Sequence, residues 1–235
     1  MKRILMMVLR NIILVPFMWC KLCYHAHHVD KYTEEEHYKM LKFIVRRANK
    51  GGNVTIAAEG LDNIPKENGF MFFPNHQGMY DVLAIMDVCP VPISVVAKKE
   101  VANIQFLKQV FACTKAYMID REDVRQAMQV IMNVAKEVKA GRNYIIFPEG
   151  TRTPQALPGP FKSGLWRLMT EFPEVELIPV YLENLHRSMP KGALLPVPTM
   201  CSVRFGAPLP HSPDEGKEEF LEKARASIIK LAREL

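Results

Sequence analysis

The stretch Phe70–Met86 reads "FMFFPNHQGMYDVLAIM". Its first apolar run, Phe70 to Phe73, is short and stops at Pro74. A run of that length bounded by proline reads as a strand buried on both faces. Asn75 and His76 follow, then Gly78, which permits an unusual turn, and then Asp81. A second apolar run begins directly after the aspartate. Strand, polar turn and new apolar element in such close order are the unit from which alternating α/β folds are made.

The same alternation extends from Gly51-Gly52 to the C-terminus. Candidate strands are Val54–Ala58, Phe70–Phe73, Val91–Ala97, Ala116–Asp120, Tyr144–Phe147, Leu177–Leu182 and Thr199–Phe205. Helical-period segments lie between several of them. In Val124–Ala140 the residues Val124, Ala127, Ile131, Val134 and Val138 recur at helical spacing, and Gly141 stands at the C-terminal cap position. The last helix is expected to open at "SPDE", Ser212 to Glu215, with a stripe of Phe220, Leu221, Ala224, Ile228, Leu231 and Leu235. The fold expected is α/β, a mostly parallel central sheet flanked by helices, over residues 51–235. About half of the 235 residues are hydrophobic, enough for one sizeable core, and 24% are charged, which excludes a disordered composition.

Residues 1–50 differ from the rest. They hold ten Lys/Arg against four acids, so the whole net charge of +6 lies there and the remainder balances to zero. Such a segment suits an anionic surface, nucleic acid or membrane. "MKRILMMVLRNIILVPFMWC" is almost wholly apolar, but Arg10 and Asn11 divide it, and neither piece reaches the roughly 20 residues a spanning helix needs. It lacks the clean apolar block and small-residue cleavage site of a secretory signal. It reads as a helix lying in the membrane interface, with Lys2, Arg3, Arg10 and Lys21 at the headgroups and Trp19 and Tyr24 at the boundary. A second helix runs from Thr33 to about Ala48, with Thr33 and Glu36 as a capping box and a stripe of Tyr38, Leu41, Val45 and Ala48. The two would form an antiparallel, basic, apolar platform over residues 1–50; the alternative is an amphipathic helix pair packed on the protein. So apolar a segment does not favour nucleic acid as the partner.

The five cysteines form no disulfide framework, and a reducing compartment follows. Cys89, Cys113 and Cys201 sit in apolar runs as small core residues. Cys20 and Cys23 with His25, His27 and His28 have one zinc-like spacing, but the histidines are crowded and no second pair follows; the reading is a polar helix end, with no metal.

In open α/β sheets, sites form beyond the carboxyl ends of strands. Three candidate strands here end in "PNHQGMYD", "DRED" and "PEGTR". His76 and Asp81 are five residues apart, which on one regular helix leaves them about 140° apart. They meet only if His76 lies in the turn and Asp81 at the start of the helix. Asp81 could then fix the imidazole tautomer and leave the other nitrogen to take a proton. No G-x-S-x-G elbow is present, so the base would act directly on a substrate hydroxyl. Alone, the pair is more often the spacing of a satisfied structural histidine. Arg152 suits a phosphate or carboxylate fork, Gly150 allows close backbone approach, and Glu149 can hold a hydroxyl or orient a base. Arg121, in "MIDRED", and Lys98, beside Lys99, repeat the cation at a strand exit. A base with several cations describes a site for a phosphorylated alcohol.

These residues resemble the glycerophosphate/lysophosphatidate acyltransferases. "NHQGMYD" resembles the family's NHx4D motif, "YMIDR" its second block, "FPEGTR" its third and "LIPVYL" its Pro-centred fourth. "EGLDNIP", "AKKE" and "GPFKSG" also fit, in the family's order, across residues 54–206. The resemblance implies His76 as general base, oriented by Asp81, with no acyl-enzyme intermediate. It implies Arg121 and Arg152 as phosphate ligands, Lys98 as a helper, and Glu149, Gly150 and Thr151 around the acceptor. Asn75 belongs to the first block, Lys162 matches a recurring lysine, and Pro179 lies in a donor or pocket-shaping block. Gly78 stands where the family often has serine, Met118 where phenylalanine is usual, and "NIQFLKQVF" replaces a Pro-Phe-x-Gly pattern. The activity implied is acyl transfer to the sn-2 hydroxyl of 1-acylglycerol 3-phosphate. The donor would be acyl-CoA or acyl carrier protein, with no other cofactor. The partners expected are an anionic membrane surface on the cytoplasmic side, bound peripherally, and a lysophospholipid. Rivals are a sister acyltransferase using glycerol 3-phosphate or another lysolipid, a phospholipid hydrolase, and a catalytically silent membrane-binding protein. The acyl chain would run in an apolar tunnel or groove.

Overall fold

A computed structural model of the protein describes residues 12, 14–120, 122–153, 157–190, 196–212 and 214–233. Helices α1 (Leu14–His27) and α2 (Glu34–Gly52) come first, followed by β1 (Val54–Glu59) and β2 (Phe70–Pro74). Then come α3 (Asp81–Val88), β3 (Ser94–Lys98), α4 (Leu107–Thr114), β4 (Tyr117–Ile119), α5 (Val124–Lys139) and β5 (Tyr144–Ile145). The chain ends with α6 (Gly164–Glu171), β6 (Glu176–Glu183), α7 (Leu185–Ser188), β7 (Thr199–Phe205) and α8 (Lys217–Arg233). The strands form one sheet in the order β1-β7-β6-β2-β5-β3-β4, and only the β6–β7 pairing is antiparallel. This is the mostly parallel α/β sheet expected, with a strand in each of the seven runs.

The opening stretch lies at its centre. β2 is buried along its whole length, and its residues alternate between two cores. Phe70 and Phe72 enter the cluster under α1 to α4, while Met71 and Phe73 enter the cluster under α5, α6 and α8. Each fully buried phenylalanine contributes about 1.5–3 kcal/mol relative to exposure. Pro74, level with Val180 of β6, has no N–H to continue the ladder, so the chain leaves the sheet where the polar residues begin.

Local signals explain several boundaries. The Thr33 capping box forms: Glu36 N donates to Thr33 Oγ1 at 3.2 Å, and Thr33 N to Glu36 Oε2 at 2.8 Å. Asp123 caps α5 by accepting from Arg125 N and Gln126 N. Gly141, at φ +92°, ends that helix in a conformation glycine adopts freely. β3 begins later than expected, at Ser94, because Pro92 just ahead of it cannot donate to a ladder. β5 is shorter than expected: Ile146 N still reaches Phe72 O, but the chain turns away at Pro148.

Three expectations are corrected. α8 starts at Lys217, not at "SPDE": Ser212 instead accepts from Asp214 N and Glu215 N in a separate turn. Val124, the first residue of α5, is exposed, and its buried stripe is Val130, Ile131, Val134, Ala135 and Val138. On α2, Ala48 is exposed and the buried stripe passes through Ile44 and Asn49. A step of four from Val45, not three, follows the face turned to α3. Leu235 and the cations Lys2, Arg3 and Arg10 lie outside the described residues.

The first two helices have different surroundings. α2 buries Tyr38, Leu41, Ile44 and Val45 in the same cluster as Phe72 and runs past residue 50 to Gly52. α1 buries only Leu22 and His25, and leaves Val15 and Phe17 more than half exposed, with Ile12 exposed just before it. Among the described residues, no helix is long and apolar enough to cross a membrane.

Candidate active site

Asp81 opens α3, and His76 stands in the turn between Pro74 and that helix. This is the only arrangement the five-residue spacing allowed, and it brings His76 Nδ1 within 2.8 Å of Asp81 Oδ2. A carboxylate accepts, so Nδ1 carries the proton and Nε2 has the lone pair. Among the described residues Nε2 has no partner. Gln77 N donates to Asp81 Oδ2 at 2.7 Å, and Gly78 N to Oδ1 at 3.0 Å. Asp81 is wholly buried, and burial pushes its carboxyl above the ordinary range; its bonds to His76, Gly78 and Gln77 pull the other way.

The β5 exit supports the histidine from behind. Glu149, also buried, accepts from His76 N at 2.7 Å and from Gly159 N at 2.9 Å. Both carboxylate oxygens are thus engaged by backbone, and this glutamate fixes the main chain of the base. Thr153 N donates to His76 O at 2.7 Å, and the Phe147 ring stacks on the imidazole at 4.0 Å. Asn75 joins β2 to β6 through reciprocal bonds with Leu182, accepting from its N at 2.7 Å and donating to its O at 3.0 Å. Gly150, at φ +68°, lies under the Lys162 side chain, whose Cγ would be 3.3 Å from an added Cβ. At Gly78 an added Cβ would meet nothing nearer than 3.9 Å, so a serine there fits without displacement.

A cavity of about 380 Å³ opens beside the imidazole, within the size range of small-molecule sites. Its polar lining includes His76, Lys98, Thr151 and Arg152. The rest is mainly apolar: Val82, Leu83 and Met86 from α3, the inner residues of β3, and Val110 and Phe111 from α4. It follows β3 from Lys98 back to Ser94, a distance of about 13 Å at the usual strand rise. Arg152 is exposed and has no ion-pair partner among the described residues. Lys98 holds Glu100 at 2.6 Å, and Lys99 pairs with Asp120.

The strand exits that meet are therefore those of β2, β5, β3 and β6. β4 is at the sheet edge, and Arg121, just beyond it, lies outside the described residues. Pro179 is buried in β6 level with Phe73 and is not on the cavity wall. Sequence reasoning missed Phe147, Thr153, Gly159 and Gln77, whose Oε1 accepts from Leu185 N at 3.0 Å and lies 3.4 Å from His186 Nδ1. Phe147 directly precedes the recognised "PEGTR" and could have been found by that adjacency; the others depend on loops folding back. The His27 and His28 rings donate to the carbonyls of Cys23 and Tyr24 at the C-terminal end of α1. Among the described residues, no group of three or more His, Cys, Asp or Glu is placed to hold a metal ion.

Residues 55–183 match the family model described as Acyltransferase. The 1-acyl-sn-glycerol-3-phosphate acyltransferase of Cocos nucifera is 30% identical over 172 residues, 72% of this chain and 53% of the coconut protein. The alpha form of that enzyme in Homo sapiens is 25% identical, over 85% of this chain and 71% of the human one. The chain thus spans about half the length of the coconut relative. The crystal structure of the 1-acyl-sn-glycerophosphate acyltransferase of Thermotoga maritima superposes with a TM-score of 0.74 at 19% identity, covering 100% of this chain and 97% of that one. That likeness is one of fold.

Proposed function

The chain belongs to the acyltransferase family, and from that premise we propose that it moves a fatty acyl group from a thioester to the sn-2 hydroxyl of 1-acylglycerol 3-phosphate, forming phosphatidate. The observation that carries the reading is the His76–Asp81 pair, with Nε2 unpartnered among the described residues and facing an apolar cavity whose lining also includes Arg152 and Lys98.

The acceptor's phosphate is held by Arg152, with Lys98 exchanging Glu100 for it; Arg121 is the further phosphate ligand that the family resemblance implies. Its hydroxyl donates to His76 Nε2. As the oxygen attacks the thioester carbonyl, the proton passes to the imidazole, and buried Asp81 stabilises the cation that forms. The tetrahedral adduct collapses, the C–S bond breaks, and the thiolate leaves as its acid by taking the proton from His76. Acceptor and donor become ester and thiol, with atoms balanced and no prosthetic group consumed. The donor is acyl-CoA or acyl carrier protein, and its chain occupies the groove between α3, β3 and α4. Glu149, Gly150, Thr151 and Lys162 shape the acceptor side, and Asn75 and Pro179 hold the strands beneath it.

We assign membrane contact to α1 and the residues before it, at an anionic cytoplasmic surface. The exposed Ile12, Val15 and Phe17 beside basic Lys21 support that reading, and a peripheral attachment suffices for it. The division into a platform over residues 1–50 and a catalytic body over 51–235 belongs to the same proposal.

The test is purified full-length protein with labelled acyl-CoA and a panel of lysophosphatidate, other lysolipids, glycerol 3-phosphate and water, with His76→Ala alongside. Expected is transfer to lysophosphatidate, lost in the variant while vesicle binding persists. Preferred transfer to glycerol 3-phosphate, or acyl release to water alone, would replace this reading with a sister enzyme or a hydrolase.

A further inference from the structure

α3 is held from one side by a single stripe of α2. Tyr38 and Lys42 donate to Cys89 O, at 3.2 and 2.5 Å, and Arg46 Nε donates to Asp87 Oδ1 at 2.9 Å. These contacts reach only the C-terminal end of α3. Asn49 is different: it is buried and touches both ends. Its Nδ2 donates to Asp87 Oδ2 at 2.6 Å, and its Oδ1 accepts from the Tyr80 hydroxyl. Tyr80 and Asp87 are seven residues, two helical turns, apart, so both side chains leave on the face toward α2. The amide orientation is fixed by chemistry, since Asp87 can only accept and must face the NH₂ group.

Tyr80 is the residue before Asp81. It occupies the N-cap position of α3 with no side-chain cap of its own. Its ring is buried, and burial raises its phenol well above the usual value, so it remains an O–H donor. The start of the helix that carries Asp81 is thus fixed by the Tyr80 hydroxyl on one side and by the Asp81 carboxylate's own bonds to the turn on the other.

We propose that Asn49 is a positioning residue for the His76–Asp81 pair, holding α3 by Tyr80 and Asp87 so that the Asp81 carboxylate stays on His76 Nδ1. The proposal rests on the acyl-transfer reading and adds to it a function for α2. The last turns of that helix are part of the catalytic machinery's support, and removing residues 1–50 would loosen the base as well as detach the protein from lipid.

The experiment compares the full-length wild type with Asn49→Ala, Asn49→Asp, and Asn49→Asp combined with Asp87→Asn. The last restores both bonds with the roles exchanged, and Tyr80→Phe removes the hydroxyl alone should the alanine variant fail to fold. Two quantities are read: kcat against KM with acyl-CoA and lysophosphatidate, and the downfield N–H proton resonance of the His76–Asp81 bond, identified by its absence in His76→Ala. Expected for Asn49→Ala is a kcat lower by about tenfold to a hundredfold, KM values within about twofold, and a weakened resonance. Asn49→Asp sets two carboxylates together and behaves alike; adding Asp87→Asn recovers both readouts. If only thermal stability falls while kcat and the resonance stay unchanged, Asn49 is merely structural and the proposal fails. A loss confined to KM or to vesicle binding overturns it equally. Should the wild type transfer no acyl group, the functional reading fails separately, and the resonance alone decides the role of Asn49.

Discussion

Asp81 is completely buried and its oxygens accept from an imidazole and two backbone amides, whereas Arg152, on the same cavity, is exposed and has no ion-pair partner among the described residues. The contrast continues around each group. His76 has its ring against Phe147, its N–H on Glu149 and its carbonyl on Thr153. Lys98, half-buried near Arg152 in the lining, is held among the described residues by one exposed side chain, Glu100. Proton transfer depends on fractions of an ångström and is set before any substrate arrives. Charge recognition tolerates motion, and long cationic side chains settle on a phosphate as it binds.

The sharpest way to break that contrast is Asp81→Asn. The amide would donate to Nδ1, drive the imidazole proton to Nε2 and leave nothing to accept from the substrate, so kcat should fall by about 10³-fold or more. The effect on stability should depend on pH. Burial raises the folded-state value above the ordinary 3.8, so ionising Asp81 costs folding energy that is absent below about that pH and grows as pH rises through the raised value. The asparagine variant, having no carboxyl to ionise, carries no such cost at any pH. Thermal melts across pH should show the variant gaining on the wild type as pH increases; a difference between the two that does not change with pH would contradict this account of Asp81. A smaller effect is expected on the loose side of the site. Arg152→Ala should raise KM for the phosphorylated acceptor about tenfold and leave kcat within about threefold, and Arg152→Lys should recover part of the loss. A kcat collapse there would mean that the cation orients the reacting atoms, and the contrast would dissolve.

Much of this was legible in the chain. Short apolar runs bounded by Pro, Gly and polar residues located every strand, because a strand buried on both faces needs an unbroken apolar run. The capping box at Thr33 was legible because its donors and acceptors are all within four residues. The His76–Asp81 contact was legible as a condition on the turn, and the structure meets it. Other features depend on what packs where. Ala48 and Asn49 have equal claims to the α2 stripe until α3 is placed against it, and a buried polar residue breaks an apolar pattern without announcing its partner. Glu149 reads as a substrate ligand because its sequence neighbours are Gly150 and Arg152; that His76 N and Gly159 N occupy its oxygens follows only from two loops meeting. The cavity was the least visible part, since Val82, Met86, Val95 and Phe111 each read as core, and the space between them is a property of their separation.

The claim at the centre of this account is that His76 acts directly on the acceptor hydroxyl. It is tested by mixing concentrated enzyme rapidly with an acyl thioester, first without acceptor and then with lysophosphatidate, while free thiol is followed. The account predicts only slow background hydrolysis until acceptor is added, and then thiol and phosphatidate appearing together at one rate. A burst of one thiol per enzyme before the acceptor arrives would reveal an acyl-enzyme and contradict it.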